Sequence, residues 1–401
     1  MPVTFAPGSI DELEKTVAWA IGEGAPLEIV GAGTKRGFGR PVEAAHVLDT
    51  TRLAGIGLYE PDELVMSAGA GTPLAVIEAE LAERGQELAF DPADYGLILG
   101  DEAGRQTIGG VFAANLAGSK RLKNGAARDH LLGVQAVTGY GRIVKSGGRV
   151  MKNVTGYDLC KLMAGSYGTL AVLSHLTFKV LPRAESEATL LLAGDAAKLL
   201  HALRRSVGTA YDVSAAAYLP EAAAGRSTVQ GVAGAARAAV RVEGAGPSVA
   251  YRRDRLKDLL VGDGLDAAAV ADEDSRALWR EIRDLRLLDS AAPVLWRLSV
   301  PPTRAGEMLE ALGDAGETLF DWAGGLVWLA ASGLEAAPPE RVRGAVREDG
   351  HATLVKAPIE IRRTIEVMPP LSPGLLALNR RVKAGFDPKG VLNPGRLYGG
   401  V

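Results

Sequence analysis

Residues 104–182 read GRQTIGGVFAANLAGSKRLKNGAARDHLLGVQAVTGYGRIVKSGGRVMKNVTGYDLCKLMAGSYGTLAVLSHLTFKVLP. Glycine recurs throughout, between short apolar runs such as Leu131–Val137 and Leu170–Leu176. Those runs are rich in leucine and β-branched residues and bounded by turn formers, so they read as strands. Each glycine inside an element weakens it by roughly 0.5–1 kcal/mol, and such density needs a compensating reason. Hairpin turns account for Gly139, Gly141, Gly147 and Gly148. They do not account for Gly109-Gly110, which open an apolar helix-like run, or for Gly165 and Gly168, which lead into a strand. There, close approach of backbone to a large, phosphate-bearing ligand is the reading favoured over tight turns.

The chain has 401 residues, enough for two domains. Hydrophobic residues make up 47% and charged residues 23%, an ordinary globular balance. A formal charge of −3 without a basic run argues against nucleic acid as the partner. The first residues, MPVTFAPGSIDELEKT, lack the basic and apolar regions of a signal peptide. No apolar run reaches the eighteen or so residues of a spanning helix. A single cysteine, Cys160, permits neither an intrachain disulfide nor a cysteine-ligated cluster. The five histidines show no metal-ligand spacing, so no metal is expected.

Outward from the opening stretch, Ser9 and Glu12 form a capping box for a helix with Leu13, Val17 and Ile21 on one face, closed by Gly22 and Gly24. A strand, Leu27–Val30, then runs into the glycine-rich turn Gly31–Gly39. Neither phosphate-binding fingerprint fits: Arg36 stands where the dinucleotide motif needs glycine, and the P-loop G-K-[ST] is missing. What remains is a nest of successive amides beside Lys35 and Arg36, suited to a diphosphate, with a plain solvent loop carrying two surface cations as the alternative. Leu58–Ser67 alternates as a strand; Thr72 and Pro73 start a helix through Leu74, Ile77 and Leu81. The helix Ile108–Leu116 would offer free first-turn amides as a second anion acceptor.

Past Pro182 glycine thins out. Strand Val294–Val300, helix Thr303–Leu312 and strand Glu317–Asp321 are followed by strand Leu326–Ala330, helix Glu340–Val346 and strand His351–Val355. Two β-α-β units joined by a hairpin predict a ferredoxin-like layer. Trp296, Trp322 and Trp328 fall in or beside its strands as core or interface. A last helix starts at Ser372-Pro373 and runs through Leu375, Leu378 and Val382 to the closing FDPKGVLNPGR.

Taken together, the Gly31–Lys35 nest, the Thr107–Gly110 turn and Gly168-Thr169-Leu170 resemble the FAD-binding domain of the vanillyl-alcohol oxidase / p-cresol methylhydroxylase (PCMH) type. FDPKGVLNPGR resembles the tail of its lactate- and glycolate-oxidising branch. VMKNVTGYDLCKLMAGSYGTLAVL is similar to the FAD-binding subunit of bacterial glycolate oxidase. The resemblance implies an α+β fold: a PCMH-type FAD-binding domain at 1–182, with subdomains at about 1–57 and 58–182. A smaller ferredoxin-like α+β domain follows at 183–374 on the substrate side, and 375–401 return to the FAD domain as a helix and tail. It implies a flavoprotein oxidoreductase taking part in oxidation of glycolate, or a related 2-hydroxy acid, to its oxo acid. Its partners would be a larger homologous FAD subunit and an iron–sulfur subunit that takes up electrons. The complex would be cytoplasmic and peripheral to the inner membrane through those partners.

By position, the resemblance assigns FAD to Ile29, Val30, Gly31, Ala32, Gly33, Thr34 and Lys35, which wrap the diphosphate. Asp101, Thr107, Gly109, Gly110, Ala114 and Asn115 line the cofactor further. Tyr167, Gly168, Thr169 and Val172 hold its other side, and Asn393 returns to the flavin edge. Relatives that attach FAD covalently use a histidine in the first loop; Thr34 stands at that position here, so non-covalent FAD is expected. Cys160 is expected as a buried small residue. The H-x-G-x-G-N-x-H segment of the larger catalytic subunits is missing. Arg297, Arg362 and Arg363 are candidate clamps for a substrate carboxylate; no residue stands out as base, and His351 lacks a partner. Two further readings stay open: a self-sufficient FAD-dependent 2-hydroxy-acid dehydrogenase, and a flavin-free structural subunit.

Overall fold

A computed structural model describes residues 3–149 and 156–401; Val150–Thr155, inside the stretch most similar to glycolate oxidase subunits, lies outside them. The helix Ile10–Glu23 begins as expected. Ser9 Oγ accepts the Glu12 N–H, Glu12 reaches back to the Gly8 N–H, and Gly24 closes the helix in the left-handed conformation. It buries Leu13 and Val17 against Leu27, Leu48, Val137 and Val172. Strands Thr4–Phe5, His46–Asp49 and Leu27–Val30 form a small parallel sheet in that order.

The second subdomain is an antiparallel sheet of Ile56–Glu60, Val65–Gly69, Ala171–Lys179, Leu131–Thr138 and Arg142–Gly147, in spatial order. Gly139 and Gly141 make the hairpin turn, whereas Gly147 is paired within the ladder opposite Gly133. Helices Leu74–Glu83 and Ile108–Ala114 cover one face of this sheet. Thr72 does not cap the first of them: Pro73 occupies the N-cap position without a capping bond, and the Thr72 hydroxyl donates to Gly69 O (2.7 Å) and accepts the Gly55 N–H (2.9 Å).

The ferredoxin-like layer forms over residues 294–356, its strands lying in the order second, third, first, fourth. It is only half of what is present. Strands Ser186–Ala193, Val213–Leu219, Arg237–Gly244 and Asp266–Ala271, with helices Ala196–Val207 and Gly246–Val261, repeat the same order. The two units join at a single pair, Tyr218 opposite Phe320, giving one eight-stranded antiparallel sheet. The expected smaller domain is thus a doubled one. One face of the sheet is covered by helices, with Trp296 buried among them. The other face, carrying Leu295, Leu319 and Trp328, packs onto the second subdomain. No helix among the described residues is long and apolar enough to cross a membrane.

Asp321 sits at this seam. Its carboxylate accepts from Ser119 Oγ (2.6 Å) and the Trp322 N–H (2.7 Å), and burial pushes its pKa up to about 6. A folded-state value above the unfolded one of about 4 favours the fold when the group is protonated. That contribution is complete below pH about 4 and is lost as pH rises through 6, by roughly 3 kcal/mol. The difference in unfolding free energy between wild type and Asp321→Asn should show this slope; a difference flat from pH 4 to 7 would reject it.

Candidate functional site

The cleft opens where strand Leu27–Val30 ends. Among the described residues, the backbone N–H groups of Gly31, Ala32, Gly33, Thr34 and Lys35 donate to no protein acceptor. Five successive unbonded amides, with Gly33 in the left-handed conformation, form the expected nest. Lys35 Nζ turns inward, donating to Gln106 Oε1 (3.1 Å) and Thr34 Oγ1 (3.3 Å); burial lowers its pKa to about 8, with Asp94 opposing. Arg36 faces solvent and pairs with Glu28 (2.9 Å).

The helix Ile108–Ala114 does not offer the expected free amides. Ile108 and Gly109 N–H donate to the carbonyls of Thr72 and Ala70, Gly110 N–H to Thr107 Oγ1, and Val111 N–H to Thr107 O. The helix lines the cleft through Gly110, Ala113 and Ala114 instead.

Asn393 arrives from the tail and fastens two walls together. Its Oδ1 accepts the Ile29 N–H and its Nδ2 donates to Tyr167 O, both at 2.8 Å. Leu27 N–H donates to Val391 O and Asn393 N–H to Leu27 O, so the tail extends the parallel sheet. Behind it, buried Lys383 Nζ donates to Asp387 Oδ2 (2.7 Å), Thr169 O (2.6 Å) and Leu392 O (2.7 Å). Asp387 also accepts the N–H groups of Val391 and Leu392.

The cleft has two adjoining compartments whose linings share Ile29, Val30, Gly31, Gly110, Ala113, Tyr167 and Asn393. Beyond Tyr167 an aromatic wall leads toward the eight-stranded sheet. Phe38 lies 6.0 Å from Tyr95 and 6.4 Å from Tyr167, and Tyr95 meets Trp328 edge-on at 5.2 Å. Arg297 stands over Trp322 (5.2 Å) and Trp328 (5.9 Å), and its side chain bonds no carboxylate among the described residues. Burial lowers its pKa, with Tyr95 and Tyr167 opposing, and burial raises the pKa of both phenols, so they stand neutral.

Of the residues expected at the site, Ile29, Val30, Gly31, Ala32, Gly33, Thr34, Lys35, Thr107, Gly109, Gly110, Ala114, Tyr167, Gly168 and Asn393 line the two compartments. Four do not. Asp101 is in a surface loop paired with Arg105; Asn115 caps its helix and accepts the Arg128 N–H. Thr169 is buried, donating to Ser166 O, and Val172 is in the core beneath the first helix. Arg362 is no clamp either: its Nη1 donates to the carbonyls of Gly37 (2.9 Å) and Gly39 (3.1 Å), pinning the nest loop from outside, and Arg363 is exposed. Sequence reading passed over Phe38, Tyr95 and Arg396. Only Arg396 carried a signal, as the charged end of the Asn-Pro-Gly-Arg turn that also holds Asn393.

Residues 1–147 match the FAD binding domain family, and 369–397 match the C-terminal domain of FAD linked oxidases. Over 96% of both chains the sequence is 35% identical to glycolate oxidase subunit GlcE of Escherichia coli (strain K12). It is 26% identical to glycolate oxidase subunit GlcD of Bacillus subtilis (strain 168), over 98% of this chain and 88% of that one. An alkyldihydroxyacetonephosphate synthase structure superposes with a TM-score of 0.68 at 16% identity, covering 98% of this chain and 77% of that one. A substrate-bound p-cresol methylhydroxylase gives 0.68 at 13%, covering 98% and 88%. The fold is that of the PCMH-type FAD oxidases, and the chain belongs to the FAD-linked oxidase family. Within it the chain stands with the FAD-binding subunits of glycolate oxidase. It is an FAD-dependent oxidoreductase.

The cleft fits that cofactor on its own terms: among the described residues, unbonded amides, the half-buried Lys35 and the buried Arg396 stand in one compartment with no carboxylate hydrogen-bonded to either cation. Glycine plays two different parts beside it. A Cβ on Gly109 would lie 2.6 Å from Ala70 O and 2.8 Å from Ala70 Cβ, so that glycine allows the helix to pack on its strand. A Cβ on Gly110 would point toward Lys35 Nζ, at 3.7 Å, inside the cleft. Gly109→Val should therefore destabilise the apoprotein by about 1–3 kcal/mol. Gly110→Val should lower FAD content while costing the apoprotein less than Gly109→Val does. Equal unfolding midpoints for the two apo variants would contradict this division.

Proposed function

We propose that this chain is the FAD-binding subunit of a glycolate oxidase complex, taking part in oxidation of glycolate to glyoxylate and passing the electrons to an iron–sulfur subunit. A larger homologous FAD subunit would be the second partner, and the assembly would be cytoplasmic, meeting the inner membrane only through its partners. Residues 1–182 serve as the FAD-binding domain, 183–374 as the substrate-side domain and 375–401 as the returning tail. The observation that supports the reading is the nest of five amides that, among the described residues, donate to no protein acceptor, with Lys35 beside it; ring contacts lead from Tyr167 in that cleft through Phe38, Tyr95 and Trp328 to Arg297.

FAD, when bound, supplies the two-electron acceptor for the C–H bond beside the hydroxyl. The chain's own part is to hold it and to shape what reaches it. The nest and Lys35 bind the diphosphate, and Gly110 and Ala113 leave room along the helix. Tyr95, Trp328 and Tyr167 exclude water, and Arg297 orients a carboxylate by a charge-assisted pair. Neither neutral phenol is a proton acceptor for the hydroxyl, which favours oxidation within the complex over a self-sufficient enzyme. FAD would be held non-covalently: Thr34 stands where covalently attaching relatives have histidine, and among the described residues neither histidine nor cysteine lines the cleft.

Purified chain should carry flavin released by acid, and glycolate should reduce that flavin far faster in the assembled complex than in the isolated subunit. Flavin retained on the denatured polypeptide would reject non-covalent binding. Equal reduction rates would establish the self-sufficient dehydrogenase instead.

A further inference from the structure

Arg396 lies at the end of the tail, three residues beyond Asn393, yet it belongs to the cleft. It is 7% exposed and lines the compartment formed by the nest. Its carbonyl accepts the Arg40 N–H (2.8 Å), and its Nη2 donates to Lys35 O (2.6 Å). No other hydrogen bond of its guanidinium is made among the described residues. Glu28, the carboxylate whose field reaches it, is engaged by Arg36 through two bonds of 3.0 and 2.9 Å. A guanidinium serving only to brace a loop would be expected to spend its fork on carbonyls, as Arg362 does on the same loop. Arg396 spends one N–H on the loop and leaves the rest of a rigid, planar donor set facing the cleft.

Lys35 faces the same space from the other side of its own peptide. Its carbonyl holds Arg396 while its Nζ reaches toward Gly110. One buried cation, Arg396, and one half-buried cation, Lys35, share a compartment with five amides unbonded among the described residues. Together they match two negative charges carried on several oxygens, as in a diphosphate.

We propose that Arg396 is a direct ligand of the FAD diphosphate, acting with Lys35 across the nest loop. This rests on the placement of FAD in the cleft. The tail then contributes to the cofactor site twice: Asn393 fixes the walls, and Arg396 supplies charge.

The test is titration of apoprotein with FAD, with ADP, which keeps the diphosphate, and with riboflavin, which has none. Arg396→Met should raise the dissociation constants of FAD and ADP by roughly 10- to 100-fold, the worth of a charge-assisted hydrogen bond or two. Riboflavin affinity should change by less than about twofold, and Arg396→Lys should recover part of the loss. Unchanged FAD and ADP affinity in Arg396→Met would overturn the proposal, and so would parallel losses for all three ligands, which mark a loop brace. If Arg396→Met fails to fold, Arg396→Lys carries the test through the same ratio of ADP to riboflavin affinity. Lys35→Met separates the two levels. Loss of FAD in it alone leaves the cleft reading standing and removes Arg396, whereas FAD bound normally by both variants removes the cleft reading itself.

Discussion

Asp387→Ala should lose about 3–5 kcal/mol of stability and most of its FAD, because it leaves the Lys383 ammonium buried and unpaired. Asp387 is 2% exposed and accepts from Lys383 Nζ, Val391 N–H and Leu392 N–H; Gly139 packs against it so closely that a Cβ there would strike the carboxylate. Lys383 also holds Thr169 O and Leu392 O, so the pair ties the last helix, Pro373–Phe386, to the strand entry behind Gly168. Loosening it releases Asn393 from Ile29 and Tyr167 and opens the cleft. Urea unfolding midpoints and flavin content measure the two effects. A variant with wild-type values for both would show that the tail is not an anchor.

Arg297→Met should keep FAD and lose substrate. Arg297 lies over Trp322 and Trp328, away from the nest, so cofactor content should stay at the wild-type level. Reduction of the bound flavin by glycolate should slow by roughly 10²–10³-fold, as when one preorganised charged donor is removed. Arg297→Lys keeps the charge but not the planar fork, and should recover only part. Unchanged reduction in the assembled complex would mean that the flavin of this chain receives electrons without meeting glycolate.

The parts of the site that could be read from sequence were those built from backbone. The nest needs only glycine after a strand, whereas Asn393 was placed by the resemblance of the closing FDPKGVLNPGR to the family's tail. The free amides expected at Ile108–Ala114 failed because their acceptors, Thr72 O and Ala70 O, come from a strand end far back in the chain. Gly168 is left-handed and a Cβ there would meet Asn393 Nδ2 at 2.9 Å, so its role is the staple rather than the flavin alone. Three arginines looked equally suited to a carboxylate, and only the partners found in the fold separate Arg362, bonded to carbonyls, from Arg297. The first ferredoxin-like unit went unread for a different reason. Its strand Val213–Leu219 is buried at every position and rich in alanine, so the alternation that betrays a half-exposed strand is missing.

The hydrogen bond from Ile29 to Asn393 spans 364 positions of the chain. During synthesis at roughly 5–20 residues per second, the first strand waits on the order of 20–70 seconds before its staple leaves the ribosome. Until then the glycine loop exists without the wall that fixes it, and a nascent chain has nothing firm with which to grip a dinucleotide. Cofactor loading is thereby expected only once residues 387–396 have emerged, and flavin capture can serve as a check that this segment has docked.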